Sequence, residues 1–136
     1  MPQEINTEKV RIRKLENGIL ENYFKAGCTI EADDFYSLRK LNLGLANNKP
    51  YVVLVEAGDL TNFSKEAREL IASKRFAGIT VAKALLIKSL GQRMIGNFYL
   101  QVNRPYIHTK LFTDRNEALK WLRQQLSDHR AALGVT

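Results

Sequence analysis

The sequence predicts an α/β fold in which a single-layer mixed β-sheet of about five strands carries about four packed helices. Two apolar segments near the N-terminus flank an Asn-Gly pair, which is typical of a β-hairpin. After them, helical periodicity and short β-branched runs alternate along the chain. Because strands joined through a helix lie parallel, we expect the hairpin to be followed by parallel crossovers. With 136 residues and 45% hydrophobic content, the chain is expected to form one domain over residues 1–136.

The register of the hairpin follows from its loop. Segments 10–15 and 19–24 enclose Gly18, which can adopt the positive φ that such a loop needs. A two-residue turn leaves neither face of the hairpin uniformly apolar, whereas a three-residue loop places Val10 opposite Phe24 on an inward face. We therefore choose the three-residue loop.

The outward face of the hairpin offers a surface for self-association. Arg13 lies opposite Glu21 on that face, beside the apolar side chains of Leu15, Ile19 and Tyr23. Two-stranded ribbons usually need further cover to be stable, and two-fold dimers are the commonest symmetric assembly. We therefore predict a homodimer that uses this face, with cover by a helix of the same chain as the alternative.

A helix is predicted after the hairpin, with Thr29 as its cap. Its first turns carry Glu31, Asp33 and Asp34, and a helix N-terminus favours acidic side chains. Apolar residues then recur at spacings of three and four, which indicates a stripe that faces the core. The members of this stripe are Phe35, Leu38, Leu41 and Leu45. Pro50 ends the segment.

The next strand is predicted at residues 51–55, where a continuous apolar run indicates burial on both faces and a central place in the sheet. A loop at residues 56–61 follows it. A short helix then begins, and Thr61, Asn62 or Ser64 can cap it.

Two more strands and two more helices complete the chain. A strand is predicted at residues 81–88, and Ser89 caps the helix after it. The apolar residues of that helix form one stripe, which we expect to face inward. They are Leu90, Met94, Ile95, Phe98 and Val102. A strand at residues 107–112 precedes the last helix, which Asp114 caps.

The charge of the chain does not indicate a nucleic-acid partner. The net charge is +7 and the pI is about 9.7, but the cations alternate with acids, as at residues 65–69, and no run of five like charges occurs. No apolar run approaches the roughly 20 residues of a transmembrane helix, so we expect no stable membrane insertion. The polar N-terminus does not resemble a secretory signal, and a cytoplasmic location is expected.

Few residues suit catalysis, so we expect no enzyme activity, no metal and no cofactor. Cys28 is the single cysteine and has no histidine near it in sequence. His108 and His129 are interpreted as surface or hydrogen-bonded side chains. Gly91 and Gly96 lie inside an amphipathic helix rather than in a phosphate-binding loop, which predicts close helix packing at both.

Two carboxylates follow the central strand. Glu56 and Asp59 lie at the edge of the sheet where open α/β proteins bind ligands. A polar or metal-binding role is one interpretation, and helix capping with solvation is the favoured one.

Five segments together resemble the SpoIIAA-like family, a branch of the STAS and Sec14-type superfamily of small α/β domains. They are E-N-G-I at residues 16–19, Y-V-V-L-V at 51–55, N-R-P at 103–105, K-L-F at 110–112 and E-A-L-K-W-L at 117–122. The last two look like the closing strand of the family and its A-x-x-W-L helix. The resemblance covers nearly the whole chain.

The resemblance implies a non-enzymatic binding or signalling module of the anti-sigma-factor-antagonist type, with a second copy or a regulatory protein as partner. In those antagonists a serine in a D-S-S-G-like motif, at the start of the helix after the central strand, is phosphorylated. Residues 59–64 here read D-L-T-N-F-S, so the motif is absent while Thr61 and Ser64 keep hydroxyl groups. These two are the candidate phosphorylation sites.

Other members of the superfamily resemble lipid carriers that hold an apolar ligand between sheet and helices. The resemblance therefore also implies an alternative function, the binding of a small apolar ligand or lipid. The stripe of Leu90, Met94, Ile95, Phe98 and Val102 is the candidate pocket wall.

Overall fold

A computed structural model describes residues 3–134 and contains eight strands in that part of the chain. In chain order they are β1 (Glu4–Asn6), β2 (Val10–Glu16), β3 (Ile19–Phe24), β4 (Thr29–Ile30), β5 (Tyr51–Ala57), β6 (Asn62–Phe63), β7 (Thr80–Leu86) and β8 (His108–Phe112). Six of them form one sheet in the order β1-β2-β3-β5-β7-β8, and β4 pairs with β6 separately. β1 was not predicted, since three residues show no periodicity.

The helices are α1 (Ala32–Leu45), α2 (Lys65–Ala72), α3 (Lys74–Ala77), α4 (Leu90–Phe98) and α5 (Arg115–Ala132), with a π-helical turn at Tyr99–Asn103. α1, α2, α3 and α4 lie on one face of the sheet, and α5 lies on the other. Within residues 3–134, no helix combines the length and the apolar composition needed to cross a membrane.

The sheet confirms the predicted class and its order of connections. β1, β2 and β3 form an antiparallel meander, and β3, β5, β7 and β8 run parallel to one another. β5 has a partner on each side, and its first four side chains are buried, as its continuous apolar run predicts.

The hairpin has the predicted register. Val10 pairs with Phe24 and Arg13 pairs with Glu21. A bulge near the end of β2 sets Glu16 opposite the first residue of β3, so the connecting turn has two residues, Asn17 and Gly18, rather than the predicted three. Alternation of apolar and charged residues was enough to identify both faces.

The outward face of the hairpin is not free, because α5 of the same chain covers it. Ile19 is buried there and packs with Leu122 and Leu126. Arg123 of α5 also donates hydrogen bonds to both carboxylate oxygens of Glu16, with Nε at 3.0 and 3.1 Å from them. The surface on which we based the homodimer is thus an intramolecular contact, and the dimer itself stays a prediction.

The first helix begins at Ala32, with Glu31 rather than Thr29 at its N-cap. The carboxylate of Asp34 accepts a hydrogen bond of 2.8 Å from the backbone N–H of Glu31. Thr29 instead lies in β4 and pairs with Asn62. The cap prediction on Thr29 was wrong because a two-residue strand uses the same backbone groups.

The other predicted caps are confirmed. Ser64, Ser89 and Asp114 begin α2, α4 and α5, and each accepts a hydrogen bond of 3.0–3.1 Å from a backbone N–H three residues later. Of the three residues proposed to cap α2, the structure therefore uses Ser64.

Helix α4 faces the opposite way from the prediction. Its apolar stripe is largely exposed, with exposed fractions from 47% to 73% for Leu90, Met94, Ile95, Phe98 and Val102. Gly96 is buried instead, and a Cβ there would lie 2.9 Å from the side chain of Leu111, which confirms close packing at this glycine. The same prediction for Gly91 was wrong, because a Cβ there would meet nothing nearer than 3.9 Å.

The two faces of the sheet are packed differently. On the face toward α5, here called the α5 face, the buried residues form one continuous cluster. Its members are Ile19, Val52, Leu54, Ala82, Ala84, Leu86, Ala118, Leu122 and Leu126. On the opposite face, here called the cavity face, the sheet and the helices border a large apolar space that is partly open to solvent.

Candidate functional site: an apolar cavity between the sheet and three helices

A cavity of about 620 Å³ lies on the cavity face, between the sheet and helices α1, α2 and α4. Its floor includes Val53, Val55 and Leu85 from β5 and β7, and Leu38 and Ile95 contribute to its roof. Most of the lining is apolar. Its volume falls within the range of about 300–1,000 Å³ that small-molecule sites occupy.

Aromatic rings build one wall of the cavity. The ring of Phe24 meets those of Phe35 and Phe63 edge to face, with centroids 5.8 and 5.2 Å apart. Such pairs hold their geometry better than aliphatic contacts do. This wall joins β3, α1 and β6 and fixes the position of α1 over the sheet.

Several polar groups in the cavity are already paired. The buried amides of Asn22 and Asn42 exchange two hydrogen bonds of 2.9 and 3.1 Å. Thr80 donates to the Tyr51 hydroxyl at 3.1 Å. The Arg39 guanidinium donates to a backbone carbonyl of α3 at 3.0 Å. Each of these groups therefore has at least one hydrogen-bond partner within the protein.

Two polar side chains in the cavity have no such partner. Lys83 in β7 and Tyr99 in the π-helical turn both line it, and neither side chain makes a hydrogen bond with any residue from 3 to 134. Burial lowers the pKa of Lys83 to about 8, and burial raises the pKa of Tyr99. Both shifts have desolvation as their cause, because no opposite charge lies beside either group.

The loop after β5 forms part of the cavity wall and is held in a strained shape. Leu60 is 90% exposed and has a φ of +61°, which a bulky residue adopts only at a cost. The loop packs closely on the turn before β4, since a Cβ on Gly58 would lie 2.7 Å from the backbone nitrogen of Ala26. Asp59 accepts a hydrogen bond of 2.9 Å from the N–H of Gly27 through its backbone carbonyl.

The two candidate phosphorylation sites are engaged in structural hydrogen bonds. Thr61 is buried, and its hydroxyl donates to the carbonyl of Lys25 at 2.9 Å. The Ser64 hydroxyl accepts the N–H of Ala67 at 3.1 Å as the cap of α2. Phosphorylation at either position stays a prediction.

Glu56 and Asp59 are not brought together. Glu56 lies toward the α5 face, where Lys88 Nζ is 2.6 Å from its carboxylate and Arg115 is 3.9 Å away. Asp59 is exposed beside the cavity. No group of three potential metal-ligating side chains occurs in the part of the chain that the structure describes.

A buried carboxylate on the α5 face is fully paired. Arg13 and Arg115 each lie 2.6 Å from the Glu21 carboxylate, and Arg11 lies 3.9 Å away. Burial by itself would raise the pKa of Glu21, but the hydrogen bonds from the two nearer arginines outweigh it, and the pKa is lowered. The sequence predicted that Arg13 pairs with Glu21, but it did not predict the second ion pair, which Arg115 makes with Glu21.

The structure places three of the five residues of the predicted pocket wall around two different spaces, and the role of these residues in ligand binding stays a prediction. Of the α4 stripe only Ile95 lines the large cavity. Met94 and Phe98 border a smaller crevice of about 280 Å³, which also includes Arg68. Leu90 and Val102 line neither space.

The sequence held two signals that were missed. Lys83 is the single charged residue within the predicted strand before its last position, in the run V-A-K-A-L-L-I. Seven Lys and Arg residues and no Asp or Glu lie in segment 70–113, so that segment carries a charge equal to the net charge of the chain. The alternation of charges noted elsewhere does not extend to this segment, which contains α4, β7 and Lys83.

Comparison with known proteins identifies the fold. The crystal structure of an uncharacterized protein from the DUF3478 family with a SpoIIAA-like fold, from Shewanella loihica PV-4, aligns with a TM-score of 0.55. The alignment covers 87% of this chain and 98% of that chain at 17% sequence identity. The chain thus has a SpoIIAA-like fold. No curated protein matches it. Residues 13–126 match the family described as Domain of unknown function (DUF7793), and the chain belongs to that family.

Proposed function

We propose that this protein is a ligand-binding module that holds a small apolar molecule in the cavity. The observation that carries the proposal is an apolar space of about 620 Å³ between a fully formed sheet and its helices. Few polar groups interrupt its walls, and most of these are paired within the protein. This combination is typical of sites for small apolar ligands.

The cost of leaving such a space unfilled supports an occupant. Apolar walls left in contact with water cost about 25 cal/mol per Å² of exposed apolar surface. Water is a poor filler, because each water needs two to four polar partners and the walls offer few. A ligand with apolar surface fills the cavity without this penalty.

The signalling interpretation of the SpoIIAA-like fold has less support from the geometry. A phosphate on Thr61 would have to displace a buried hydroxyl from its carbonyl partner. One on Ser64 would remove the cap of α2. The cavity, in contrast, requires no rearrangement to accept a small molecule.

A series of n-alkanols tests the proposal. Each added CH₂ that enters the cavity contributes about 0.8 kcal/mol, so Kd should fall about fourfold per carbon until the space is full. Isothermal titration calorimetry with hexanol to dodecanol measures this dependence. Native mass spectrometry of protein purified from its own host should also show a noncovalent adduct.

Two variants on one helix provide the matched control. Ile95→Trp places a large ring in the cavity and should weaken binding of the longest alkanol at least tenfold. Leu90→Trp adds the same ring on an exposed position that lines neither space and should leave Kd unchanged. Kd values that do not depend on chain length, or that are equal in both variants, would contradict the proposal.

A further inference from the structure

We propose that the ligand is an amphiphile with one carboxylate head group, which pairs with the ammonium of Lys83 inside the cavity. This inference rests on the proposed function and names the chemical class of its ligand. The observation behind it is the position of an unpartnered cation among apolar walls.

Lys83 lies in the middle of β7, an interior strand of the sheet. Its register neighbours are Val53 of β5 and Thr109 of β8, so the backbone around it is hydrogen-bonded on both sides. The adjacent residues Ala82 and Ala84 point to the α5 face, and the Lys83 side chain therefore points to the cavity. An interior strand gives this side chain no direct route to bulk water other than the cavity.

The other ionisable groups of the cavity do not neutralise this cation. Arg39 and Arg68 are themselves cations, and each donates to a backbone carbonyl and stacks on an aromatic ring. Tyr51 and Tyr99 are phenols, and burial raises the pKa of both. Asp59, the carboxylate among the lining residues, is exposed and makes no ion pair with Lys83.

A half-buried charge that faces apolar walls without a partner is unfavourable, and an apolar residue of similar length would fill the same position without this cost. A carboxylate supplied by the ligand satisfies the ammonium, while the tail of the ligand fills the apolar remainder. Of the three cations that line the cavity, Lys83 is the one whose charged group makes no hydrogen bond to residues 3–134, so a single negative charge matches it. The concentration of seven cations in segment 70–113 also favours the approach of an anion.

Matched probes that differ only in the head group test the inference. Dodecanoate and 1-dodecanol share one tail, and dodecyl phosphate presents a larger head with up to two charges. Hydrogen bonds to a charged group contribute more than neutral ones, so wild-type protein should bind dodecanoate at least tenfold more tightly than dodecanol. Calorimetry at pH 7 measures all three affinities.

Two substitutions assign the effect to one residue. Lys83→Met should weaken dodecanoate binding to the level of dodecanol and leave dodecanol unchanged or slightly tighter, whereas Lys83→Arg should keep the preference for the acid. Side-chain NMR supplies a second readout. The pKa of Lys83 should rise when dodecanoate binds and should not rise with dodecanol.

The outcomes separate the two proposals. Equal binding of dodecanoate and dodecanol by the wild type overturns the carboxylate inference and leaves the apolar-ligand function standing. Binding of neither overturns the function itself. A preference for dodecanoate that survives in Lys83→Met overturns the role of Lys83, and tighter binding of dodecyl phosphate than of dodecanoate overturns the choice of head group.

Discussion

The two faces of the sheet are built from the same strands, but their side chains are packed differently. On the α5 face, one long helix packs directly on β5 and β7, and the side chains between them form one buried cluster. On the cavity face, helices α1, α2 and α4 cover a space large enough for a ligand. The same layer of strands therefore carries a packed core on one side and an apolar space on the other.

Side-chain size explains much of the difference. Ala82, Ala84 and Ala118 are fully buried between the sheet and α5, and their small side chains let the backbones approach closely. On the cavity face, α4 makes its closest approach through Gly96 near the edge strand β8, rather than over the middle of the sheet.

The two faces also differ in whether a charged side chain has a partner of opposite charge. Glu21 on the α5 face has two arginines at 2.6 Å, whereas Lys83 on the cavity face has no partner in residues 3–134. The carboxylate of Glu21 is therefore paired within the fold, whereas the ammonium of Lys83 is not.

The largest expected effect comes from a truncation on the α5 face. Leu122→Ala removes a fully buried side chain from a packed cluster and should lower the free energy of unfolding by about 3–4 kcal/mol. Leu38→Ala on the cavity face extends a space that already exists and should cost about 2 kcal/mol or less. Urea denaturation of both variants measures the difference. Equal losses would show that the two faces contribute alike.

A substitution on the cavity face should raise the free energy of unfolding rather than lower it. The pKa of Lys83 is lowered to about 8, so the unfolded chain binds a proton that the folded protein holds less well. Lys83→Met removes this penalty and should raise the stability of the ligand-free protein by about 2–3 kcal/mol at pH 7. As pH rises from about 8 to 10.5, the wild type loses the penalty and the advantage of the variant should disappear.

Thermal unfolding across that pH range, with Lys40→Met on the exposed surface of α1 as the control, measures the change. A variant less stable than the wild type at pH 7 would mean that Lys83 has a partner within the fold.

The smallest of the three effects concerns the paired charge. The pKa of Glu21 is lowered, so its ion pairs stabilise the protein fully above the ordinary pKa of a glutamate and are lost as pH falls through the lowered value. Glu21→Gln should cost about 1–2 kcal/mol at pH 7, because its arginines are part-exposed and regain water.

The cost of Glu21→Gln should shrink as pH falls below about 4, because the unfolded wild type is then protonated and the folded protein takes up the proton at its lowered pKa. Chemical denaturation at pH 7 and pH 3 checks both values. A constant cost across that range would contradict an electrostatic origin.

Local sequence patterns predicted the strands and helices of this fold better than they predicted which face of the sheet each helix covers. The register of β2 on β3 followed from alternation, and the caps at Ser89 and Asp114 followed from residue type. The face that α5 covers depends on the order of strands in the sheet, which periodicity alone does not reveal. This is why the outward face of the hairpin, with Ile19, was expected to be free.

The site was harder to predict than the fold. An amphipathic pattern in α4 shows that one side is apolar, and the usual rule turns that side inward. The close packing of Gly96 on Leu111 instead turns it outward. A lysine such as Lys83 in a strand usually marks a solvated face, so only the three-dimensional arrangement reveals that it lies beside a cavity.

The exposed stripe of α4 also sets the colloidal behaviour of the protein. Five apolar side chains stand on the surface within a segment that carries a large excess of positive charge. In dilute buffer this charge keeps molecules apart, but the reach of the repulsion falls from about 30 Å at 0.01 M salt to about 3 Å at 1 M, while hydrophobic attraction persists. Concentrated salt should therefore bring molecules together through the stripe, and dilution of the salt should disperse them.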